Sequence, residues 1–145
     1  MATSETGVER ALVDDLGETV RGDLIRPDDS EYDDARTVYN GMIDRRPGLI
    51  VRCRDVADVI AAVNFGREHD LDVAIRSGGH SGPGLALVDD GLVVDLSGMT
   101  GIRVDPDART VRVGAGCTWG DVDHATHPFG LATVSGIVST TGVGG

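Results

Sequence analysis

The sequence predicts an α+β fold: a small mixed sheet flanked by helices, with antiparallel strands after it. Three observations predict it. A strand-like run, an amphipathic helical stretch and a second strand-like run follow one another over residues 49–76. The turn sequence Asp105-Pro106-Asp107-Ala108 separates two alternating runs. The 145 residues, 40% of them apolar, make one ordinary domain with room for a core.

The elements follow in chain order. Residues 1–6 are polar and read as a frayed end. Val8, Leu12, Val13 and Leu16 have helical spacing, and Gly17 stops that helix. Residues 20–25 read as a short strand, ended by Pro27 and the acidic turn Asp28-Asp29-Ser30. Residues 32–42 have room for one or two helical turns. Leu49-Ile50-Val51-Arg52 reads as a strand. Asp55 is the expected N-cap of the next helix, with Asp58 at N3 as an imperfect capping box. Val56, Val59, Ile60 and Val63 place one apolar stripe on that helix, which ends near His69. Residues 71–76 and then 91–96 read as strands. Residues 101–105 and 110–113 form a hairpin, with Ile102, Val104, Val111 and Val113 on one face and Arg103, Asp105 and Arg112 on the other. Thr118 caps a helix bearing Trp119, Val122 and Ala125, with Asp121 at N3. Pro128 and Gly130 close it, and Trp119 is expected in the core. The chain runs out through the glycine- and hydroxyl-rich stretch 135–145.

Charge narrows the partners. The net charge is −11, and 19 of the 24 acidic residues are Asp, while all 13 basic residues are Arg. A nucleic-acid binder needs a basic surface, so nucleic acid is excluded as a partner. An Asp-rich, Lys-free surface suits concentrated salt, where self-repulsion is screened, and a halophilic protein is the preferred reading. A genome that favours Arg codons is the blander one. No apolar run approaches the roughly 20 residues that cross a bilayer. The first residues lack a basic n-region and an apolar h-region, so no membrane partner is expected and the location expected is cytoplasmic. Cys53 and Cys117 belong to no C-x-x-C pair and read as two buried small hydrophobes.

The segment with the most chemistry is Arg76-Ser77-Gly78-Gly79-His80-Ser81-Gly82. Its glycines let the backbone fold tightly and turn several N–H groups to one side, a concave row that suits a phosphate or pyrophosphate. His80 puts a nucleophilic imidazole beside whatever anion the loop holds. No G-x-G-x-x-G follows the strand at 71–76, and no Lys exists to complete a P-loop. Pro83 stands where a nucleophile elbow needs glycine. On the residues alone, a plain tight turn accounts for the loop as well as an anion cradle does. His124 and His127, with Cys117 upstream, lack a fourth ligand for a metal, and helix-surface histidines are the better reading.

Arg76-Ser77-Gly78-Gly79-His80, Gly91-Leu92-Val93-Val94-Asp95-Leu96-Ser97-Gly98-Met99, Trp119-Gly120-Asp121-Val122-Asp123 and Phe129-Gly130-Leu131-Ala132-Thr133 together resemble one family. It is the berberine-bridge-enzyme-like branch of FAD-linked oxidases, in the vanillyl-alcohol oxidase / p-cresol methylhydroxylase superfamily. Asn40-Gly41-Met42-Ile43-Asp44-Arg45-Arg46-Pro47 resembles its prokaryotic members, and the likeness runs from about residue 32 to the end.

The resemblance implies an N-terminal segment at 1–30 and, at 31–145, an FAD-binding domain of the p-cresol methylhydroxylase (PCMH) type. That domain is incomplete at its C-terminus, holding the mixed sheet with its helices and the start of a second, antiparallel subdomain. It implies FAD as cofactor, with Arg76, Ser77, Gly78, Gly79, Ser81 and Gly82 about the pyrophosphate and His80 joined covalently to the flavin 8-methyl carbon. Ser135, Gly136, Val138, Thr140, Thr141 and Gly142 would line the isoalloxazine. Some relatives carry a second tether through a cysteine; that position falls on Val138, so a single bond through His80 is expected. The implied function is oxidation of an alcohol, sugar or amine carbon of a small-molecule substrate by hydride transfer to the flavin. Relatives continue well past residue 145 and hold their catalytic base there, so no base is assigned. A non-catalytic, truncated flavin- or nucleotide-binding module is the alternative.

Overall fold

The computed structural model describes residues 8–145, so the expected frayed end at 1–6 lies outside the described residues. The elements in order are α1 (Arg10–Gly17), β1 (Asp23–Ile25), α2 (Tyr32–Ala35), β2 (Leu49–Arg52), α3 (Val56–Glu68), β3 (Val73–Arg76), β4 (Leu92–Asp95), β5 (Ile102–Asp105), β6 (Thr110–Val113) and α4 (Trp119–Thr126). A 3-10 turn, His127–Phe129, follows α4. Helices and strands of both pairing types mix as the α+β expectation requires.

Four strands form one sheet in the order β1-β2-β4-β3. β2 and β3 flank β4 in parallel, and β1 pairs with β2 antiparallel. α3 carries the chain from β2 to β3 and leaves the slot that β4 fills. A parallel strand covered on both faces must be apolar throughout. Leu49, Ile50, Val51, Leu92, Val93 and Val94 accordingly have no exposed surface. Alternation along each strand then divides the core in two. Leu49, Val51, Leu92 and Val94 pack with Val13, Leu16, Ala62 and Phe65 beneath α1 and α3. Ile50, Ala74 and Val93 pack with Tyr32, Ala35, Val38, Ala86 and Leu87 on the other face. Each fully buried Val, Leu or Ile among them contributes about 1.5–3 kcal/mol by leaving water.

The hairpin forms as expected. β5 and β6 pair antiparallel, with Ile102 opposite Val113 and Val104 opposite Val111 on one face. Asp55 caps α3 by accepting from the N–H groups of Ala57 (2.9 Å) and Asp58 (3.1 Å). Thr118 and Asp121 complete the capping box at the start of α4. α3 ends where expected, with His69 as its C-cap and Asp70 in the left-handed region at φ 52°.

Four expectations need correction. The stripe Val56, Val59, Ile60, Val63 is not the core face of α3. Val56, Ile60 and Val63 are exposed, Val59 is partly buried, and Asp58, Ala62, Phe65 and Gly66 face inward. Both stripes have helical period, and the position of the sheet decides between them. Asp58 does not complete a capping box with Asp55. It accepts instead from the N–H groups of Arg21 (2.8 Å) and Arg54 (2.9 Å), pinning the approach to β1 against the start of α3. The strands expected at 20–25 and 71–76 are shorter, Asp23–Ile25 and Val73–Arg76. Trp119 is only half-buried. Among the described residues, no helix is long and apolar enough to cross a membrane.

Candidate cofactor site

β3 ends at Arg76, and the chain turns out of the sheet into the glycine loop. Gly79 takes φ +69°, a conformation that a side chain would oppose. The loop closes through the Gly84 N–H to the Ser81 carbonyl (3.1 Å) and the Leu85 N–H to Ser81 Oγ (3.1 Å). Among the described residues, none of the backbone N–H groups from Gly78 to Gly82 donates to a protein acceptor. A row of unspent amides beside a strand end is what an anionic ligand requires, because buried N–H groups otherwise find protein partners. His80 is half-buried. Its Nδ1 lies 2.9 Å from the Gly78 carbonyl oxygen, and its ring stacks on Tyr39 with centroids 4.9 Å apart.

Three devices hold the loop. The Arg76 guanidinium donates to Asp95 Oδ2 (3.0 Å) and to the Thr37 carbonyl (2.9 Å). Asp95 is fully buried, accepts from the Ser97 N–H at 2.9 Å, and has Arg52 Nε at 3.8 Å. Arg76 is thus spent on the loop's base, although its buried Nε has no acceptor. Ser77 Oγ donates to the Ala115 carbonyl. Finally, the segment after α2 straps the loop: the Tyr39 N–H donates to the Gly79 carbonyl (2.9 Å) and Asn40 Nδ2 to the Gly82 carbonyl (2.9 Å).

The distant glycine run meets this loop. The Val143 N–H donates to the Cys117 carbonyl (2.8 Å), and the carbonyls of Thr141 and Ser139 accept from the Trp119 (3.0 Å) and Gly120 (2.8 Å) N–H groups. That anchoring lays Gly142 across Gly78. A Cβ on Gly78 would stand 2.7 Å from Gly142 Cα, so only two glycines permit the crossing. Of the residues read from the sequence, Ser77, Gly78, Gly79, His80, Thr141 and Gly142 come together. Ser135, Gly136, Val138 and Thr140 form an exposed lip, with Gly136 against the Trp119 indole. Sequence reasoning missed Thr37, Tyr39, Asn40 and Asp95. The available signal was an aromatic-amide pair, Tyr39-Asn40, in a stretch with no period of its own.

The cysteines are buried, as expected. Burial, then the charges of Asp58, Asp95 and Asp55, push the Cys53 thiol up to about 12. Burial also raises Cys117. His124 and His127 are exposed, and among the described residues no three His, Cys, Asp or Glu side chains gather as a metal site would need.

A loop of free amides, a half-buried imidazole and a second glycine run fit the diphosphate and ring of a flavin nucleotide. Residues 47–145 match the family model described as FAD binding domain. The chain is 37% identical over 119 residues to (R)-6-hydroxynicotine oxidase of Paenarthrobacter nicotinovorans, covering 82% of this chain and 26% of that protein. It superposes on BBE-like 1 of Physcomitrella patens with a TM-score of 0.83 at 32% identity, covering 91% of this chain and 29% of that one. Phl p 4, a grass pollen allergen with glucose dehydrogenase activity, gives 0.83 at 29% identity, over 92% of this chain and 30% of that one. The chain therefore spans under a third of the length of these relatives. The fold and the resemblance read from the glycine loop both hold: this chain belongs to the FAD binding domain family of FAD-linked oxidoreductases.

Proposed function

We propose that the chain forms the FAD-gripping part of an oxidoreductase that takes hydride from an alcohol, sugar or amine carbon, with the flavin tethered through His80. The row of unpartnered amides from Gly78 to Gly82, with the His80 imidazole at its centre, carries the reading. Bound flavin would supply the two-electron acceptor for the substrate hydride. The chain's own residues do the rest. The loop amides offset the diphosphate charge. Gly142, laid on Gly78, brings the second glycine run alongside. The Nδ1–H of His80 is occupied by the Gly78 carbonyl, which leaves Nε2 as the ring's free lone pair. The substrate range rests on the relatives, whose names include an amine, hydroxynicotine, and a sugar, glucose.

A flavin-binding module without turnover of its own is the second reading. One preparation tests both. The purified chain is supplied with FAD and precipitated in acid. Yellow colour in the pellet, lost in His80→Ala, is the expected result. A colourless pellet with all FAD in the supernatant refutes the tether. Reduction of the bound flavin by an amine or a sugar separates the oxidoreductase from the module.

A further inference from the structure

The open edge of the sheet carries an apolar face that the cofactor site does not use. β3 ends the sheet, so only its β4 side is paired. The carbonyls of Asp72 and Arg76 accept from the N–H groups of Leu92 (2.8 Å) and Leu96 (2.8 Å), so alternate residues of β3 serve β4. Val73 and Ile75 turn their N–H and C=O groups outward, and among the described residues nothing bonds to them. Edges of this kind are normally blunted by Lys or Pro, and Val73-Ala74-Ile75 carries neither. The side chains of Val73 and Ile75 share the α3 face of the sheet and are 41% and 59% exposed. α3 continues that face. Its Gly66 rests on Val73, where a Cβ would stand 2.6 Å from Val73 Cγ2, while Leu12 and Leu16 of α1 pack on the other flank, at Ala61 and Phe65. The exposed stripe Val56, Ile60, Val63 therefore lies on the flank above β3.

We propose that this face is the seam of a two-fold dimer, in which β3 pairs antiparallel with β3 of a second copy of the chain. The strand is complementary to itself. With the axis through Ala74 and perpendicular to the sheet, Val73 stands opposite Ile75 of the second copy, and Ile75 opposite its Val73. These are the residues whose N–H and C=O groups point outward, so each pair exchanges both bonds. Asp72 stands opposite Arg76 of the second copy, so the ends of the seam bring unlike charges together. That match favours a second copy over a foreign strand. The two four-stranded sheets join into one. Both α3 helices then stand on the same face, and their Val56, Ile60, Val63 stripes turn toward each other over the covered Val73 and Ile75. Self-pairing consumes the β3 edge of both copies, so the assembly stops at two. The glycine loops leave the paired strands in opposite directions, which keeps the seam and the cofactor site apart. A net charge of −11 on each copy opposes the approach, and salt relieves it.

The test uses the whole chain, as wild type, Val63→Lys and Ile75→Lys, in sedimentation velocity over a range of concentrations at about 0.1 M and about 1 M KCl. Wild type is expected as a monomer–dimer equilibrium that tightens several-fold in the higher salt. Each substitution removes an apolar side chain from both sides of the seam, so the dissociation constant should rise about tenfold or more. Added Lys makes the net charge less negative, so weaker association would not come from a larger net charge. Both sites are exposed, so melting of the monomer should stay as in wild type. Amide hydrogen exchange reads the backbone: Val73 and Ile75 should be protected in the wild-type dimer and exchange fast in Ile75→Lys at the same concentration. A wild type that stays monomeric at every concentration in both salts overturns the proposal, even where its edge takes a strand of another protein. So does a dimer that both variants keep, or one in which Val73 and Ile75 exchange freely, since another face then holds it. Assembly beyond two copies, or weakening in high salt, also overturns it. If a variant does not fold, the wild-type mass and exchange still decide.

Discussion

Replacing Gly78 by Ala tests the crossing of the two glycine segments directly. The new Cβ would stand 2.7 Å from Gly142 Cα, 2.9 Å from Gly142 N and 3.3 Å from His80 Nδ1. The two nearest atoms are backbone, so no side chain can rotate out of the way. Carbon atoms in contact rest at about 3.5–4.0 Å, so the two segments must part by about 1 Å. Overpacking of that kind costs about 1–3 kcal/mol. At about 2–4 °C per kcal/mol for a domain near this size, melting should fall by roughly 2–12 °C. Parting the segments also opens the cradle, so FAD titration by flavin fluorescence should show weaker binding. Gly82→Ala is the control in the same loop: nothing lies within 4 Å of its Cβ, and its φ is not positive. Its melting temperature should stay within about 2 °C of wild type, because compatible Gly→Ala changes act only through the unfolded chain. Equal melting temperatures for Gly78→Ala and Gly82→Ala would refute the contact, and with it the joining of the two runs into one site.

Other perturbations check the frame around the site. Asp58 is 1% exposed; burial opposes its ionisation, but bonds from the N–H groups of Arg54 and Arg21 outweigh that and lower its pKa. A lowered folded pKa contributes stability that is present above the unfolded value, about 3.9, and lost as pH falls through the folded one. Asp58→Asn should therefore cost about 2 kcal/mol near pH 7, and its deficit against wild type should shrink below about pH 4; an equal deficit at both pH values counts against the assignment. With the Cys53 thiol pushed up to about 12 and Cys117 buried, neither should react with a disulfide reagent at pH 8 in the folded chain. Both should react after denaturation, and one fast thiol before it would contradict their placement.

What the sequence made legible was what short stretches decide. The apolar runs of β2 and β4, the Pro-containing hairpin turn and the Thr118–Asp121 capping box depend on residues within a few positions of one another. The glycine loop after β3 was legible too, because its composition is costly anywhere else. Three features were not legible, and each depends on distant chain. α3 offers two stripes of equal period, and only the docked sheet selects Ala62, Phe65 and Gly66 over Val56, Ile60 and Val63. Asp58 looked like a capping partner, but its acceptors serve a segment from before β1. Tyr39 and Asn40 acquire a role only because Gly79 and Gly82, about 40 positions later, come to lie beside them.

If the glycine loop holds a diphosphate as proposed, the charge balance puts that grip in the main chain. A net charge of −11 repels a diphosphate at long range, and salt screens that repulsion beyond about 8–10 Å. The cation nearest the loop cannot reverse it, because Arg76 is bonded at 3.0 Å to the fully buried Asp95, which offsets its charge locally. What remains at short range are the amides from Gly78 to Gly82, whose partial charges need no counter-ion and reorganise little because the Thr37–Asn40 strap, Ser77 and the crossing at Gly142 hold them in place. A chain with no Lys can therefore hold an anion with its backbone, provided that the backbone is fixed from several sides. The Arg76 guanidinium, bonded to Asp95 and to the Thr37 carbonyl at the loop's base, helps to keep those amides still.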